Sequence, residues 1–200
     1  MTSPDSERYM RSRILEACEE SVLLKQAFFK DNADLIARTA ETIATAFNDG
    51  NRLFIFGNGG SAADSQHIAA EFVNRYKMER PGLPAVALST DTSVLTSISN
   101  DYDFKYIFSR QVQTLGQAGD VAWAISTSGM SANILEALKT AQRMGLTTIS
   151  LTGRGGAQAA LFSDITLMVD SPDTPRIQEV HITVAHVICE LVDFKLFRDV

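Results

Sequence analysis

Five short apolar segments alternate with helical patterns along the chain, and this alternation constrains the fold more than any other feature. The segments cover residues 52–56, 84–88, 120–125, 146–151 and 164–169. Several contain Val, Ile or Phe without strict polar and apolar alternation, which is typical of strands buried on both faces. Helical patterns lie between them, as at 61–76 and 131–144. The sequence therefore predicts βαβ units and a mostly parallel sheet with helices on both faces.

The two ends of the chain have long helical patterns. Apolar spacing predicts a helix over residues 6–30, a second over 32–48 and a last one over 175–197. The first helix lies outside the βα alternation and carries a wide apolar stripe. We expect a partner subunit to cover this stripe, although the helix could instead pack on its own sheet.

Composition limits the classes of protein to which the chain can belong. Its 200 residues, 45% of them hydrophobic, fit a single domain over residues 1–200, with residues 1–50 as N-terminal oligomerisation helices. A net charge of −6 argues against a nucleic-acid partner. The chain contains only two cysteines, Cys18 and Cys189, which suits a reducing compartment. The N-terminus is polar and therefore does not resemble a signal peptide, and no apolar run is long enough to span a membrane. We therefore expect a cytoplasmic protein without a membrane partner.

A glycine-rich loop follows the first predicted strand. This first loop reads Gly57-Asn58-Gly59-Gly60-Ser61 and leads directly into a helix, where backbone N–H groups can bind an anion. Its glycines also fit a dinucleotide fingerprint, with Ala62 in the third place. That fingerprint requires an acidic residue about 20 residues further on, and Asp91 comes too late. The first loop therefore suits a phosphosugar better than NAD.

Hydroxyl side chains are concentrated after the second and third strands. The second loop covers residues 89–93, with Asn100 and Asp101 further on, and the third loop reads Ser126-Thr127-Ser128-Gly129-Met130-Ser131 before a helix. Hydroxyl and amide donors at a helix start can hold a phosphate without a cation. Taken alone, the third loop could be an ordinary turn and N-cap. Because ligands bind outside the carboxyl ends of parallel strands, the three loops together predict a phosphosugar site.

Titratable residues occur on two of the predicted helices. His67 and Glu71 lie one turn apart on the helix that follows the first loop, although such a pair can also be a plain surface pair. On the last helix, His186 is flanked by apolar residues and could be a packed core histidine, and His181 could be an ordinary helix-surface residue. Periodicity alone cannot bring these two helices together.

In combination, these motifs resemble the phosphoheptose isomerases of the sugar isomerase (SIS) domain family over nearly the whole chain. The resemblance rests on residues 57–61, Gln66-His67, Glu71, Asn74-Arg75, Glu79-Arg80-Pro81, Asn100-Asp101, 126–133 and 176–181. It implies a three-layer αβα sandwich with a five-stranded parallel, doubly wound sheet of the flavodoxin or Rossmann type. It also implies a homotetramer whose sites are shared between adjacent subunits.

The resemblance also implies a reaction and its residues. Sedoheptulose 7-phosphate would be converted to D-glycero-D-manno-heptose 7-phosphate through an enediol, with Glu71 as base and His186 as acid. The product would supply the heptose of a lipopolysaccharide. The family's substrate-binding positions correspond to Asn58, Gly59, Gly60, Ser61, Glu71, Asn100, Asp101, Ser126, Thr127, Ser128, Ser131 and Gln178.

The family's zinc ligands correspond to His67, Glu71, Gln178 and His186. A carboxylate bound to zinc is a poorer base than a free one, and an amide oxygen adds little to zinc affinity. We therefore expect one zinc ion per subunit, weakly held or modulatory.

A non-enzymatic SIS-domain protein is the alternative. The sequence also looks similar to a relative that binds the bacterial replication initiator, and a regulator that senses a sugar phosphate would keep the phosphate loops too. The initiator-binding relative is not expected to retain the acid–base pair. Because both Glu71 and His186 are present, the isomerase is favoured.

Overall fold

Five parallel strands form one sheet at the centre of the protein, in a computed structural model that describes residues 4–198. The strands are β1 (Leu53–Gly57), β2 (Ala85–Ala87), β3 (Val121–Ser126), β4 (Thr147–Gly153) and β5 (Ile165–Val169). Their order is β2-β1-β3-β4-β5, and every neighbouring pair is parallel. All five predicted strands are present, so the predicted parallel α/β fold is confirmed.

Within the described residues, seven α-helices and one short 3-10 helix connect and flank the strands. They are α1 (Pro4–Asn48), α2 (Gly60–Val73), α3 (Thr92–Asp101), a 3-10 helix (Phe104–Tyr106), α4 (Ser109–Leu115), α5 (Ala132–Arg143), α6 (Ala157–Ala160) and α7 (Thr174–Phe197). Within residues 4–198, no helix combines the length and apolar character needed to cross a membrane.

The sheet is buried on both faces, which explains the missing alternation in its strands. Leu53 and Ile55 of β1 belong to the hydrophobic cluster that includes α1, α2 and α7. Phe54 and Phe56 point the other way, into the cluster formed with α3, α4 and α5. Since both faces of a strand bury apolar side chains, its sequence is apolar throughout.

The N-terminal segment is one continuous helix, so the prediction of two helices is wrong. The prediction placed a break near residue 31, but neither Gly nor Pro occurs there to stop a helix. Asn32 donates its side-chain amide to the carbonyl of Phe28, 2.9 Å away, a contact that a helix accommodates. At about 1.5 Å per residue, α1 is roughly 68 Å long.

The two halves of α1 have different surroundings. Its C-terminal half packs on the domain's own core, where Phe28, Ile36, Ile43 and Phe47 are buried. Its N-terminal half instead exposes large apolar side chains, namely Tyr9, Met10, Ile14, Leu15, Val22 and Leu23. The helix therefore packs on its own sheet over only part of its length.

Strand order determines where a ligand can enter. The chain passes from β1 to β2 on one side and then returns to β3 on the other side of β1. In sheets of this order, the loops after the two strands at the reversal diverge and leave a crevice. The first and third loops follow β1 and β3, so both open at this crevice.

Candidate active site

The first loop makes a tight turn between β1 and α2. A Cβ on Gly57 would lie 2.7 Å from the Cβ of Ser61 and 2.8 Å from the carbonyl oxygen of Ile125, so the loop has no room for a side chain there. Gly59 has a φ of 55°, in the region that favours glycine. The turn therefore directs the N-terminus of α2 toward the crevice.

A pair of asparagines ties the first loop to the third. The side-chain amide of Asn58 donates to Oδ1 of Asn133 at 2.9 Å, and Asn133 donates back to Oδ1 of Asn58 at 2.8 Å. Asn133 lies in the first turn of α5 and is buried. Sequence reasoning did not single out Asn133 as a site residue, because no local pattern shows that the two loops meet.

The third loop is held by its own hydroxyl groups. The backbone N–H of Gly129 donates to Oγ of Ser126 at 3.1 Å, and that of Met130 donates to Oγ of Ser128 at 3.3 Å. Ser131 is the N-cap residue of α5 but makes no side-chain capping bond, so its hydroxyl is not consumed by the helix. We call residues 57–61 and 126–131 together the anion cradle. A cavity of ≈ 470 Å³ adjoins its third loop.

Two histidines and a glutamate meet where α2 packs against α7. His67 Nε2 lies 2.8 Å from His186 Nε2 and 3.5 Å from Oε1 of Glu71. One ligand atom of each side chain lies within 4.8 Å of the others. His67 and Glu71 are therefore more than a surface pair, and the half-buried His186 is not a packed core histidine.

The electrostatic surroundings of His186 favour its neutral form. Partial burial lowers its pKa, as does the positive charge of a protonated His67, whereas the carboxylates of Glu71 and Asp64 act in the opposite direction. Two neutral imidazole nitrogens and a carboxylate are a donor set that suits zinc and other borderline metals. The cluster of His67, Glu71 and His186 therefore fits a divalent metal chemically.

Gln178 of α7 links this cluster to the anion cradle. Its side-chain amide donates to Oδ2 of Asp64 at 3.0 Å, and a Cβ on Gly60 would lie 2.5 Å from the same amide nitrogen. The structure thus places Gln178 beside the first loop. Its predicted role as a metal ligand stays a prediction.

Asp64 is a functional candidate that the sequence interpretation missed. Partial burial raises the pKa of its carboxyl, and the hydrogen bond from Gln178 counteracts this. The available signal was spacing, since residues 64, 67 and 71 lie on one face of α2.

Asn100 and Asp101 lie at the C-terminal end of α3 and are exposed. The side-chain amide of Asn100 donates to Oδ1 of Asp101 at 2.8 Å. Their predicted contact with substrate stays a prediction.

His181 is buried, which excludes the alternative that it is an ordinary helix-surface residue. Its side chain is 1% exposed, and its Nε2 lies 3.2 Å from the carbonyl oxygen of Thr152. Burial lowers its pKa to about 4. His181 shares the inward face of α7 with Ile177, Val184 and Ile188.

Comparison with known proteins gives close relatives. A phosphoheptose isomerase of Thermodesulfovibrio yellowstonii is 52% identical over 189 residues, which cover 94% of each chain. The solved phosphoheptose isomerase of Neisseria gonorrhoeae is 43% identical with a TM-score of 0.87, covering 92% of this chain and 98% of that one. The corresponding structure from Francisella tularensis is 35% identical with a TM-score of 0.88 and the same coverage.

The family model described as "SIS domain" matches residues 18–153. This match spans both loops of the anion cradle and the residues His67 and Glu71, and it covers more than half of the chain. The chain belongs to the SIS-domain family.

Proposed function

We propose that this protein is an aldose–ketose isomerase that converts sedoheptulose 7-phosphate to D-glycero-D-manno-heptose 7-phosphate. The observation that carries the proposal is the meeting of Glu71, His67 and His186 where α2 packs on α7, next to an anion cradle that opens the same helix α2. The relatives named phosphoheptose isomerase support the choice of substrate.

The anion cradle binds the phosphate in this proposal. Backbone N–H groups at the starts of α2 and α5 act as donors, and the positive ends of both helix dipoles favour the negative charge. The side chains assigned to this task are Asn58, Ser61, Ser126, Thr127, Ser128 and Ser131, with the backbone of Gly59 and Gly60. Gln178, Asn100 and Asp101 are assigned to the sugar hydroxyls.

Glu71 and His186 carry out the proton transfer. Glu71 removes the proton from C1 of the ketose, and His186 protonates the carbonyl oxygen, which yields the enediol. Return of a proton to the adjacent carbon C2, with loss of the proton on the C1 oxygen as the aldehyde forms, completes the aldose. For the acid role His186 must be protonated when the substrate is bound, a form that the carboxylates of Glu71 and Asp64 favour and that partial burial opposes.

A zinc ion, one per subunit, would be held by His67, Glu71 and His186, with Gln178 as a further ligand. When bound, it would polarise a substrate oxygen as a Lewis acid. The metal is weakly held or modulatory in this proposal, because Glu71 cannot serve fully as ligand and base at once.

The functional unit we propose is a cytoplasmic homotetramer with sites shared between subunits, which supplies heptose for lipopolysaccharide. The exposed apolar side chains of α1 support the assembly, since burying them needs a partner surface. The exposed positions of Asn100 and Asp101 are compatible with a contact to a neighbouring subunit's substrate.

The test is an NMR time course of the purified protein with sedoheptulose 7-phosphate in D₂O. We expect a heptose 7-phosphate to appear, with deuterium at the receiving carbon if the transferred proton exchanges with solvent. A sugar that binds but stays unchanged, with zinc present or absent, would contradict the isomerase and favour a regulator that senses a sugar phosphate.

A further inference from the structure

At the end of helix α2, which carries Glu71, a buried arginine donates to several of the last carbonyl groups. A helix leaves its last four carbonyl groups without partners inside the helix. Arg80 donates from Nη2 to the carbonyl of Glu71 at 2.9 Å and from Nη1 to that of Phe72 at 2.8 Å. It also reaches the carbonyl of Asn74 at 3.4 Å. Arg80 thus holds the backbone of the proposed base directly.

The charge of Arg80 is balanced by helix α7. Its Nε lies 2.6 Å from Oδ1 of Asp193, and the two side chains are 1% and 5% exposed. Oδ2 of Asp193 is buried and has no hydrogen-bond partner within residues 4–198. Because a buried charge is costly without its partner, this ion pair ties the end of α2 to α7 at a defined place.

The same segment contacts His186. Asp193 lies seven residues, or two helical turns, after His186, so both are on one side of α7. Residues 74–81, which we call the strap, follow α2 and run along this side. Tyr76 of the strap stacks on the imidazole of His186, with ring centroids 5.7 Å apart and planes at 22°. The strap therefore contacts both the base helix and the acid.

We propose that Arg80 is a positioning residue that fixes Glu71 relative to His186. It does so by capping α2 and by pairing with Asp193 of α7. The same contacts fix the position of the strap and thereby hold Tyr76 against the imidazole of His186. This proposal rests on the isomerase function proposed above. Arg80 itself lies outside the anion cradle and acts only through the helices that it joins.

The main test variant is Arg80→Lys. Lysine keeps the charge but lacks the planar fork, so it cannot serve Asp193 and two carbonyls at once. The matched control is Glu190→Gln, which breaks the exposed ion pair between Glu190 and Lys77, 2.6 Å apart, on the same strap and helix.

Two readouts separate positioning from folding. One is the steady-state kcat and KM per folded protein, with the folded fraction taken from circular dichroism. The other is the NMR chemical shift of the His186 ring, assigned with His67→Gln and His181→Gln, which depends on the ring current of Tyr76.

We expect Arg80→Lys to lower kcat by roughly 10- to 100-fold, because small misplacements of reacting groups have effects of this size. KM should stay nearly unchanged and the His186 ring signal should move, whereas Glu190→Gln should change none of these. A folded Arg80→Lys protein with unchanged kcat and an unmoved ring signal would overturn the proposal.

If Arg80→Lys does not fold, Asp193→Glu gives the same comparison, since it keeps both charges and changes only the position of the carboxylate. If the wild type does not turn over the sugar, the isomerase function fails. The ring signal of the variants then decides the positioning role by itself.

Discussion

The Nε2 atoms of His67 and His186 face each other across the contact of α2 with α7, 2.8 Å apart. At this distance at most one proton fits between them, so at least one ring presents a lone pair. Oε1 of Glu71 lies 3.5 Å from the same nitrogen of His67. The arrangement suits either a shared proton or a shared metal ion, and both uses depend on the same three side chains.

Glu71→Gln should abolish most of the turnover while the phosphosugar still binds. A well-placed base raises the reaction rate by about 10²- to 10⁴-fold, and glutamine keeps the shape of the side chain without its basicity. Turnover is measured by NMR, and binding by isothermal titration calorimetry. Glu79→Gln, which makes the same change in an exposed ion pair with Arg75, is the control. Near-normal turnover in Glu71→Gln would remove Glu71 from this role.

Zinc binding should depend on the His67, Glu71 and His186 cluster. We expect His67→Ala to lose most of the metal measured by plasma mass spectrometry after dialysis against zinc, because one of the four proposed ligands is missing. In the wild type, chelation should reduce activity without abolishing it, as a modulatory metal requires. Activity that chelation abolishes, and that only zinc restores, would show the metal to be essential.

The sheet was predictable because each strand carries its own signal, whereas the site was predictable only in part. The buried run at Leu53 to Phe56 and the glycine turn after it are local patterns. His67 and Glu71 are also a local pair, but His186 is 119 residues from His67, and only the packing of α7 on α2 brings the rings together.

The same reason explains why the surroundings of His181 and Asp64 were not predicted. His181 and His186 share one helix, and which face of α7 is buried depends on the sheet beneath it. Burial raises the pKa of Asp64, and its hydrogen-bond partner Gln178 lies on α7. Neither the burial nor the partner can be inferred from the residues around Asp64 in the sequence.

Acid should destabilise the fold through His181. In the unfolded chain this histidine takes up a proton near its ordinary pKa of 6.5, whereas in the folded protein it resists protonation down to about 4. The unfolded state therefore binds more protons between these values, and stability falls as the pH drops through this window. The loss amounts to at most about 3 kcal/mol.

Urea unfolding at a series of pH values, for the wild type and for His181→Gln, measures this effect. The variant should lose less unfolding free energy between neutral pH and pH 4 than the wild type, even if it is less stable throughout. Parallel pH curves for the two proteins would mean that His181 does not contribute.

Replacing apolar side chains on the exposed half of α1 should dissociate the assembly. Ile14 and Leu15 are 69% and 61% exposed in the single chain, and burying such a side chain contributes about 1.5–3 kcal/mol. A glutamate at either position would instead bring a charge into the contact, at a high cost in free energy. Light scattering after size exclusion should therefore give a tetramer mass for the wild type and a smaller mass for Ile14→Glu and Leu15→Glu. Arg143→Gln changes the charge by the same amount on the exposed surface of α5, away from α1, and should leave the mass unchanged. A monomeric wild type would contradict both the tetramer and the shared sites.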